Sequence, residues 1–347
     1  TLRSIAREGD GVLYGGRLGE EVAEDMAQNG GLVTLEDLTS YEVRERKPVR
    51  GAYRGHEVVS MGPTSSGGVH IIQALNLLEG FDVKRMGYGS VEYFHLLLEA
   101  LKVCWADRFA FLGDPEQVPV PVEELTSKEY AEKRRGELDM ERARAYKAGD
   151  LAPVESANTT HLTVADSEGN VVTMTHTLND AFGSRVMVPG MGMLMNNCMA
   201  LFDPHAGRPN SVGSGKRMVS SMSPSIIFKD GKPWFALGTP GGIRIFASVL
   251  QGIVNVIDHG MSLQEAVEAP RIWTQGGVVE VESGVPEPVR EGLRRRGHKV
   301  SVVEKVAGGM NGVMFGEDGM IQGVACWRAD GSPAGFSGGP ARGGGGY

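Results

Sequence analysis

The amino-acid sequence predicts an α+β chain, and three observations carry that expectation. Two runs rich in Thr and Val, Thr159–Asp166 and Val171–Asn179, flank a Glu168-Gly169-Asn170 turn and read as a β-hairpin. Residues 91–112 set Tyr93, Leu96, Leu97, Ala100, Leu101, Cys104 and Trp105 at helical spacing. Strand and helix pieces then alternate from 279 to 328. With 347 residues, 41% of them hydrophobic and 22% charged, the chain is long and apolar enough for one large domain or two with a proper core.

Taken in order, Leu2, Ile5 and Ala6 open a first helix, and residues 20–27 form a second, closed by Asn29-Gly30-Gly31. Thr34-Leu35-Glu36-Asp37 has the form of a helix start, a threonine cap with acids in the first turn. Residues 49–61 read as two short strands around a turn. The small-residue loop Gly62–His70 opens into the helix 71–78. It reads either as a tight backbone crossing on a core helix or as an anion-holding helix start. Residues 127–149 are charged and Ala-rich and are expected to form a solvated surface helix. Ser225–Phe228 and Trp234–Leu237 pair across the Lys229–Lys232 turn. Gly238-Thr239-Pro240-Gly241-Gly242 opens a helix over 245–254, and Ser262 with Glu265 has capping-box form. The tail 331–347 is rich in Gly, Pro and Ser and is expected to be loose.

Several function classes drop out. Lys plus Arg number 35 against 43 Asp plus Glu, a net charge of −8 that argues against a nucleic-acid binder. Cys104, Cys198 and Cys326 are widely spaced and odd in number, so neither a disulfide framework nor a zinc site is readable, and no metal or other cofactor is expected. No apolar run approaches the roughly 20 residues that span a bilayer. The chain opens on Thr1 with no visible signal peptide, an expected mark of processing or truncation, and the compartment is not read from it. Gly335-Phe336-Ser337-Gly338-Gly339 matches Gly-x-Ser-x-Gly but has no strand before it or helix after it. Gly215-Lys216 lacks the glycine and hydroxyl of a phosphate loop.

What is left is chemistry at the hairpin. A cut between Asn158 and Thr159 would give Thr159 a hydroxyl and a free α-amine on one residue. That amine, with an ordinary pKa near roughly 8, can serve as the base that activates the hydroxyl. Ser220-Ser221 can donate hydrogen bonds to a carboxylate, and Gly241-Gly242 can aim backbone amides at a developing oxyanion. Each has a plainer reading, a turn for the serines and a tight bend for the glycines.

Together and in this order, the segments resemble the γ-glutamyltransferase (γ-glutamyl transpeptidase) family. The resemblance rests on Thr159-Thr160-His161, Thr177-Leu178-Asn179, Phe182-Gly183, Asn196-Asn197, Lys216-Arg217, Ser220–Pro224 and Pro240-Gly241-Gly242. Upstream, Pro63–His70 and Leu112–Pro115 resemble it too. It implies a four-layer αββα sandwich of the N-terminal-nucleophile hydrolase type, made as a precursor that cuts itself. Residues 1–158 would belong to the large subunit and 159–347 to the small one, the two halves staying partners in one intertwined domain. Thr159 would attack a γ-glutamyl amide such as glutathione, giving an acyl-enzyme that water or an amino acid resolves. Thr177 matches the position that orients the nucleophile, and Asn179, Ser220 and Ser221 match substrate-binding positions. The amides of Gly241 and Gly242 match the oxyanion hole.

Three departures qualify the substrate. Where the family's transpeptidases carry Gln or Glu this chain has Cys198, and where they carry the aspartate that holds the substrate α-ammonium it has Leu201. Leucine cannot pair a cation, and a buried unpaired ammonium costs several kcal/mol. The stretch from Phe202 to Lys216 is short, so the lid of some relatives is expected to be absent. The family's arginine for the α-carboxylate lies in an N-terminal part without counterpart here, so the chain resembles a fragment of the precursor. Beside γ-glutamyl transfer or hydrolysis stands a second reading, an amidohydrolase or acylase for acids without an α-ammonium, with oxamate-like or acylated β-lactam substrates. A third is a non-catalytic scaffold of the same fold.

Overall fold

The computed structural model describes residues 1–146 and 159–336. Asn158, one side of the expected cut, lies outside the described residues, as does most of the expected loose tail. The chain divides into two compact units, one of residues 1–46 with 177–198 and one of residues 47–176 with 199–347.

The smaller unit carries α1 (Leu2–Glu8), α2 (Arg17–Gln28) and α3 (Leu35–Thr39). Leu18, Val22 and Met26 recur one turn apart on α2 and meet Val12, Val188 and Met191 in a small apolar core. The helix start read at Thr34 is a complete capping box, with Asp37 reaching back to the Thr34 amide at 2.8 Å.

The larger unit is built on a six-stranded antiparallel sheet. Its strands are β1 (Val49–Tyr53) and β2 (His56–Ser60), then, beyond the hairpin β3 (Thr159–Ala165) and β4 (Val171–Thr177), β5 (Ser225–Lys229) and β6 (Lys232–Gly238). A three-stranded sheet of β7 (Ile272–Thr274), β8 (Val278–Glu282) and β9 (Lys299–Val303) follows, and β10 (Asn311–Phe315) and β11 (Ile321–Ala325) complete the large sheet in the order β1-β2-β5-β6-β10-β11. Here β2 pairs with β5 from Glu57↔Phe228 to Ser60↔Ser225, so residues on either side of position 158 share one hydrogen-bonded ladder. A chain cut there keeps its halves joined.

Helices α4 (Gly67–Leu78), α5 (Val83–Met86), α6 (Val91–Phe111), α7 (Val122–Leu125) and α8 (Lys128–Arg135) precede the hairpin. After it come α9 (Ile245–Ile257), α10 (Leu263–Glu268) and α11 (Glu287–Arg295). Trp105 of α6 and His70 of α4 both pack on Phe246 of α9, with ring centroids 5.4 and 5.6 Å apart. Leu237 of β6 points to this helical side, against Gly252 of α9, while the next residue, Gly238, faces His161 of β3. Side chains alternate across a strand, so the helices and the hairpin lie on opposite faces of the sheet.

The surface helix expected over 127–149 is shorter than read. α8 stops at Arg135, capped at Gly136, and Leu138, Met140 and Tyr146 fold back onto the core.

Candidate active site

Thr159 begins β3 and is half-buried. The strand is held in place two residues later. A side-chain carbon on Gly238 would lie 2.1 Å from the His161 ring, so the imidazole occupies the room that only glycine leaves. Asn311, the first residue of β10, donates its Nδ2 to the His161 carbonyl at 2.7 Å. The ring is bonded to Thr175 Oγ1 at 2.9 Å and Thr163 Oγ1 at 3.1 Å. Burial pushes His161 down to about 4, so it is neutral near pH 7 and serves as a peg. The start of the hairpin thus crosses the end of β6, where the glycine segment begins.

That segment is built from the backbone. Gly308 donates its amide to the Pro240 carbonyl at 2.9 Å, and the buried Thr239 hydroxyl bridges toward the Gly308 carbonyl at 3.0 Å. Gly241 has φ +142°, and a Cβ there would sit 2.5 Å from Ala307 Cβ. Gly242 follows at φ +56° and enters a 3₁₀ turn, Gly242–Arg244, that runs into α9. The Gly241 carbonyl accepts from the Arg244 amide at 3.1 Å. Among the described residues the amides of Gly241 and Gly242 donate to no acceptor. Unspent donors at a helix start form a site for negative charge. Arg244 itself is occupied, bonded to both Glu280 oxygens at 2.5 and 2.6 Å and stacked 4.6 Å over Trp273.

Ser220 and Ser221 are buried. The loop before α4 holds them: Ser66 donates its amide and hydroxyl to the Ser220 carbonyl at 3.0 and 2.9 Å, and Ser65 donates its hydroxyl to the Met222 carbonyl at 2.6 Å. The small-residue loop is therefore the tight backbone crossing rather than an anion cradle. Arg108 adds a third donor to the Ser220 carbonyl at 3.0 Å. With its backbone tied down, the Ser221 hydroxyl is buried with no partner among the described residues. A buried orphan hydroxyl is costly in the empty protein, and a ligand that bonds it removes that cost.

Thr177 and Asn179 belong to the smaller unit. Asn179 sits in the left-handed region at φ +77°, its amide donating to Thr177 Oγ1 at 2.8 Å. Its side-chain amide donates to Asn197 Oδ1 at 3.0 Å, which also accepts from the Asp180 amide. Asn197, whose amide also donates to the Leu178 carbonyl at 3.1 Å, therefore works as a clamp on the Leu178-Asn179 turn.

Leu201 lines a recess with Trp105, Phe109, Phe202, Val219 and Ile243. Asn210 staples its two sides, donating to the Leu201 carbonyl at 2.8 Å and accepting from the Val219 amide at 2.9 Å. Arg108 also faces this recess and was not singled out as a site residue from the sequence. Its signal was there: Asp107-Arg108 is a charged pair on a largely apolar helix, as Glu99 and Lys102 are.

One group of possible metal ligands, His95, Glu99 and His298, is buried among the described residues. All but His298 Nδ1 among its ring and carboxylate atoms are engaged. His95 Nδ1 bonds His298 Nε2 at 2.8 Å, and Glu99 accepts from Lys102 at 2.7 Å and from the Tyr146 hydroxyl at 3.0 Å. An ammonium at that distance repels a cation, so the group reads as a packing network.

Residues 1–336 match the family model described as gamma-glutamyltranspeptidase. The chain belongs to that family. It is 54% identical over 344 residues to the acylase ACY 1 proenzyme of Pseudomonas sp. (strain SE83), covering 99% of this chain and 62% of that one. To the glutathione hydrolase proenzyme of Escherichia coli (strain K12) it is 42% identical over 340 residues, covering 94% and 58%. It also aligns with the crystal structure of cephalosporin acylase from Bacillus halodurans at 31% identity and a TM-score of 0.87, covering 97% of this chain and 62% of that one. The chain thus spans about three fifths of these relatives. The family and the α+β fold of the N-terminal-nucleophile type are those that the sequence motifs implied. No described helix is long and apolar enough to cross a membrane.

Proposed function

We propose that this chain carries the nucleophile half of an N-terminal-threonine amide hydrolase or acyltransferase. The Asn158–Thr159 bond is cut in maturation, giving a large-subunit part up to residue 158 and a small-subunit part from Thr159. The freed amine takes the proton of the Thr159 hydroxyl as its oxygen attacks the amide carbon of a small-molecule substrate. The amides of Gly241 and Gly242 hold the oxyanion, Thr177 orients the nucleophile, and the amine nitrogen of the substrate leaves with the transferred proton. Water or an amino acid then attacks the threonine ester and regenerates the enzyme. Asn179, Ser220 and Ser221 hold the acyl group. What carries this reading is the Gly241-Gly242 turn: two undonated amides at the 3₁₀ turn that runs into a 13-residue helix, beside the strand end that β3 crosses.

Two acyl classes divide the family's substrates. Its common chemistry, and the relative named glutathione hydrolase, favour a γ-glutamyl amide. The recess favours an acyl group without an α-ammonium, because Leu201 pairs no cation and Asp203, which also lines it, is already held by His205 and Arg208. A relative named acylase, at 54% identity, accords with that second class. Turnover of a γ-glutamyl anilide and of its des-amino glutaryl analogue by full-length matured protein separates them. Thr159→Ala must abolish both; residual hydrolysis in that variant removes Thr159 from the mechanism.

A further inference from the structure

Arg271, just after α10, and Arg328, just after β11, are both buried, and one buried carboxylate serves them. Glu282 of β8 pairs with Arg328, taking Nε at 2.6 Å and Nη2 as well. Its oxygens also accept the backbone amides of Val306 at 2.7 Å and of Arg271 at 2.8 Å. The Arg271 guanidinium forms no ion pair among the described residues. It donates to the carbonyls of Val267 at 3.0 Å, Gly308 at 3.0 Å and Val306 at 3.3 Å, and to Cys326 Sγ at 3.5 Å. Burial and the nearby Arg328 pull Arg271 down to about 10, so it stays charged near pH 7. Two cations and one carboxylate leave a buried positive charge without its counterpart, and a buried charge needs one.

Cys326 stands where that counterpart is missing. It is buried, and among the described residues its sulfur accepts from the Met310 amide at 3.2 Å and from Arg271, and donates to nothing. The other buried cysteine does the reverse: the Cys104 thiol donates to the His70 carbonyl at 3.7 Å. A thiol has a proton to give, whereas a thiolate only accepts. Burial pushes the Cys326 thiol up, but the Arg271 guanidinium and the amides of Arg328 and Met310 outweigh it and hold the thiol below its ordinary value. Burial instead drives Cys104 well above its own. No other group nearby supplies the charge. Glu268, Glu304 and Asp330 are exposed, Lys305 is a cation on the Arg328 carbonyl, and the Tyr88 phenol, kept neutral by burial, donates to the Pro270 carbonyl at 2.9 Å.

We propose that Cys326 is a resident thiolate whose charge holds Arg271 in place and, through Arg271, positions the loop that clips the oxyanion turn. The path is short. Arg271 holds the Gly308 carbonyl, Gly308 donates its amide to the Pro240 carbonyl at 2.9 Å, and Ala307 fills the space beside Gly241. This rests on the oxyanion role proposed for Gly241 and Gly242. Cys326 is a positioning residue, and a neutral cysteine that merely fills space is the alternative to defeat.

The test uses the full-length matured protein, its ultraviolet absorbance and its anilide turnover. At pH 7 the difference spectrum of wild type against Cys326→Ser should be that of a thiolate. A difference that appears only as pH rises through the ordinary thiol range near roughly 8.5 overturns the proposal. Cys326→Ser, close in size but neutral, should lower kcat by about tenfold or more with KM little changed, because a misaimed oxyanion turn is felt in the transition state. Cys326→Asp, which restores the charge, should hold kcat within about threefold of wild type. Equal losses in the two variants, or no loss in Cys326→Ser, overturn the positioning role. If Cys326→Ser does not fold, Cys326→Asp replaces it as the spectral blank, and failure of Cys326→Asp to fold overturns the charge argument. An unchanged kcat in Gly241→Ala refutes the oxyanion reading and the positioning role with it, whereas a missing thiolate signal refutes this proposal and leaves the oxyanion reading intact.

Discussion

The glycine segment after β6 and the recess around Leu201 solve different problems with different parts of the chain. The first is made of backbone: Pro240 to Gly242, two positive-φ glycines and a carbonyl clipped by Gly308. The second is made of side chains, apolar walls from Leu201, Phe202, Trp105 and Phe109 with polar groups from Arg108, Asp203, Asn210 and Gln275. Backbone donors cannot be swapped without changing the turn that aims them, whereas side chains on a wall can change one at a time. The difference suggests that bond-breaking is carried by the part least able to vary and substrate choice by the part most able to.

Substitutions can break that comparison. The largest effect after loss of Thr159 itself is expected at Gly241. Alanine there meets Ala307 and resists φ +142°, so the turn must shift and its amide with it. A loss in kcat of about 10²-fold to 10³-fold is expected, the cost of an oxyanion donor. Steady-state kinetics on folded protein check this, and an unchanged kcat would remove the turn from catalysis. Next comes Leu201→Asp, which offers a carboxylate to a substrate ammonium. It should shift the ratio of γ-glutamyl to glutaryl anilide turnover toward the γ-glutamyl compound by about tenfold or more. No shift would mean that Leu201 does not face the acyl group.

The smallest effect is on stability. His161 is held down to about 4 and His70 to about 3, both by burial. Each group has a folded pKa below its unfolded value near 6.5, so the unfolded chain binds more protons below that pH. The stability each contributes is present above about 6.5 and is lost as pH falls toward the folded pKa, at up to about 1.4 kcal/mol per pH unit. Urea midpoints should fall from pH 7 to pH 5, and His161→Gln should flatten the slope. A slope identical to wild type would show that His161 titrates normally.

Much of both units was legible because local signals and tertiary demands agree. The β3–β4 hairpin, the apolar spacing on α6 and the capping boxes at Thr34 and Ser262 each announce themselves within a few residues. α8 was misjudged because Lys, Glu and Arg favour helix all along 127–149, while the described chain beyond Gly136 is drawn to the core by Leu138 and Tyr146. The active-site candidates were legible as short motifs, but what holds them was not. The His161 ring against Gly238 joins residues 77 positions apart, and Arg108 under Ser220 joins residues 112 apart. No local pattern records such pairs.

The most direct test of the central claim is denaturing mass spectrometry of the full-length protein after maturation and after brief mixing with an anilide substrate. The account predicts two chains, the second beginning at Thr159, with the acyl mass added to that chain and absent from Thr159→Ala. A single uncut chain that still turns over substrate, or an acyl group on any other residue, would contradict it.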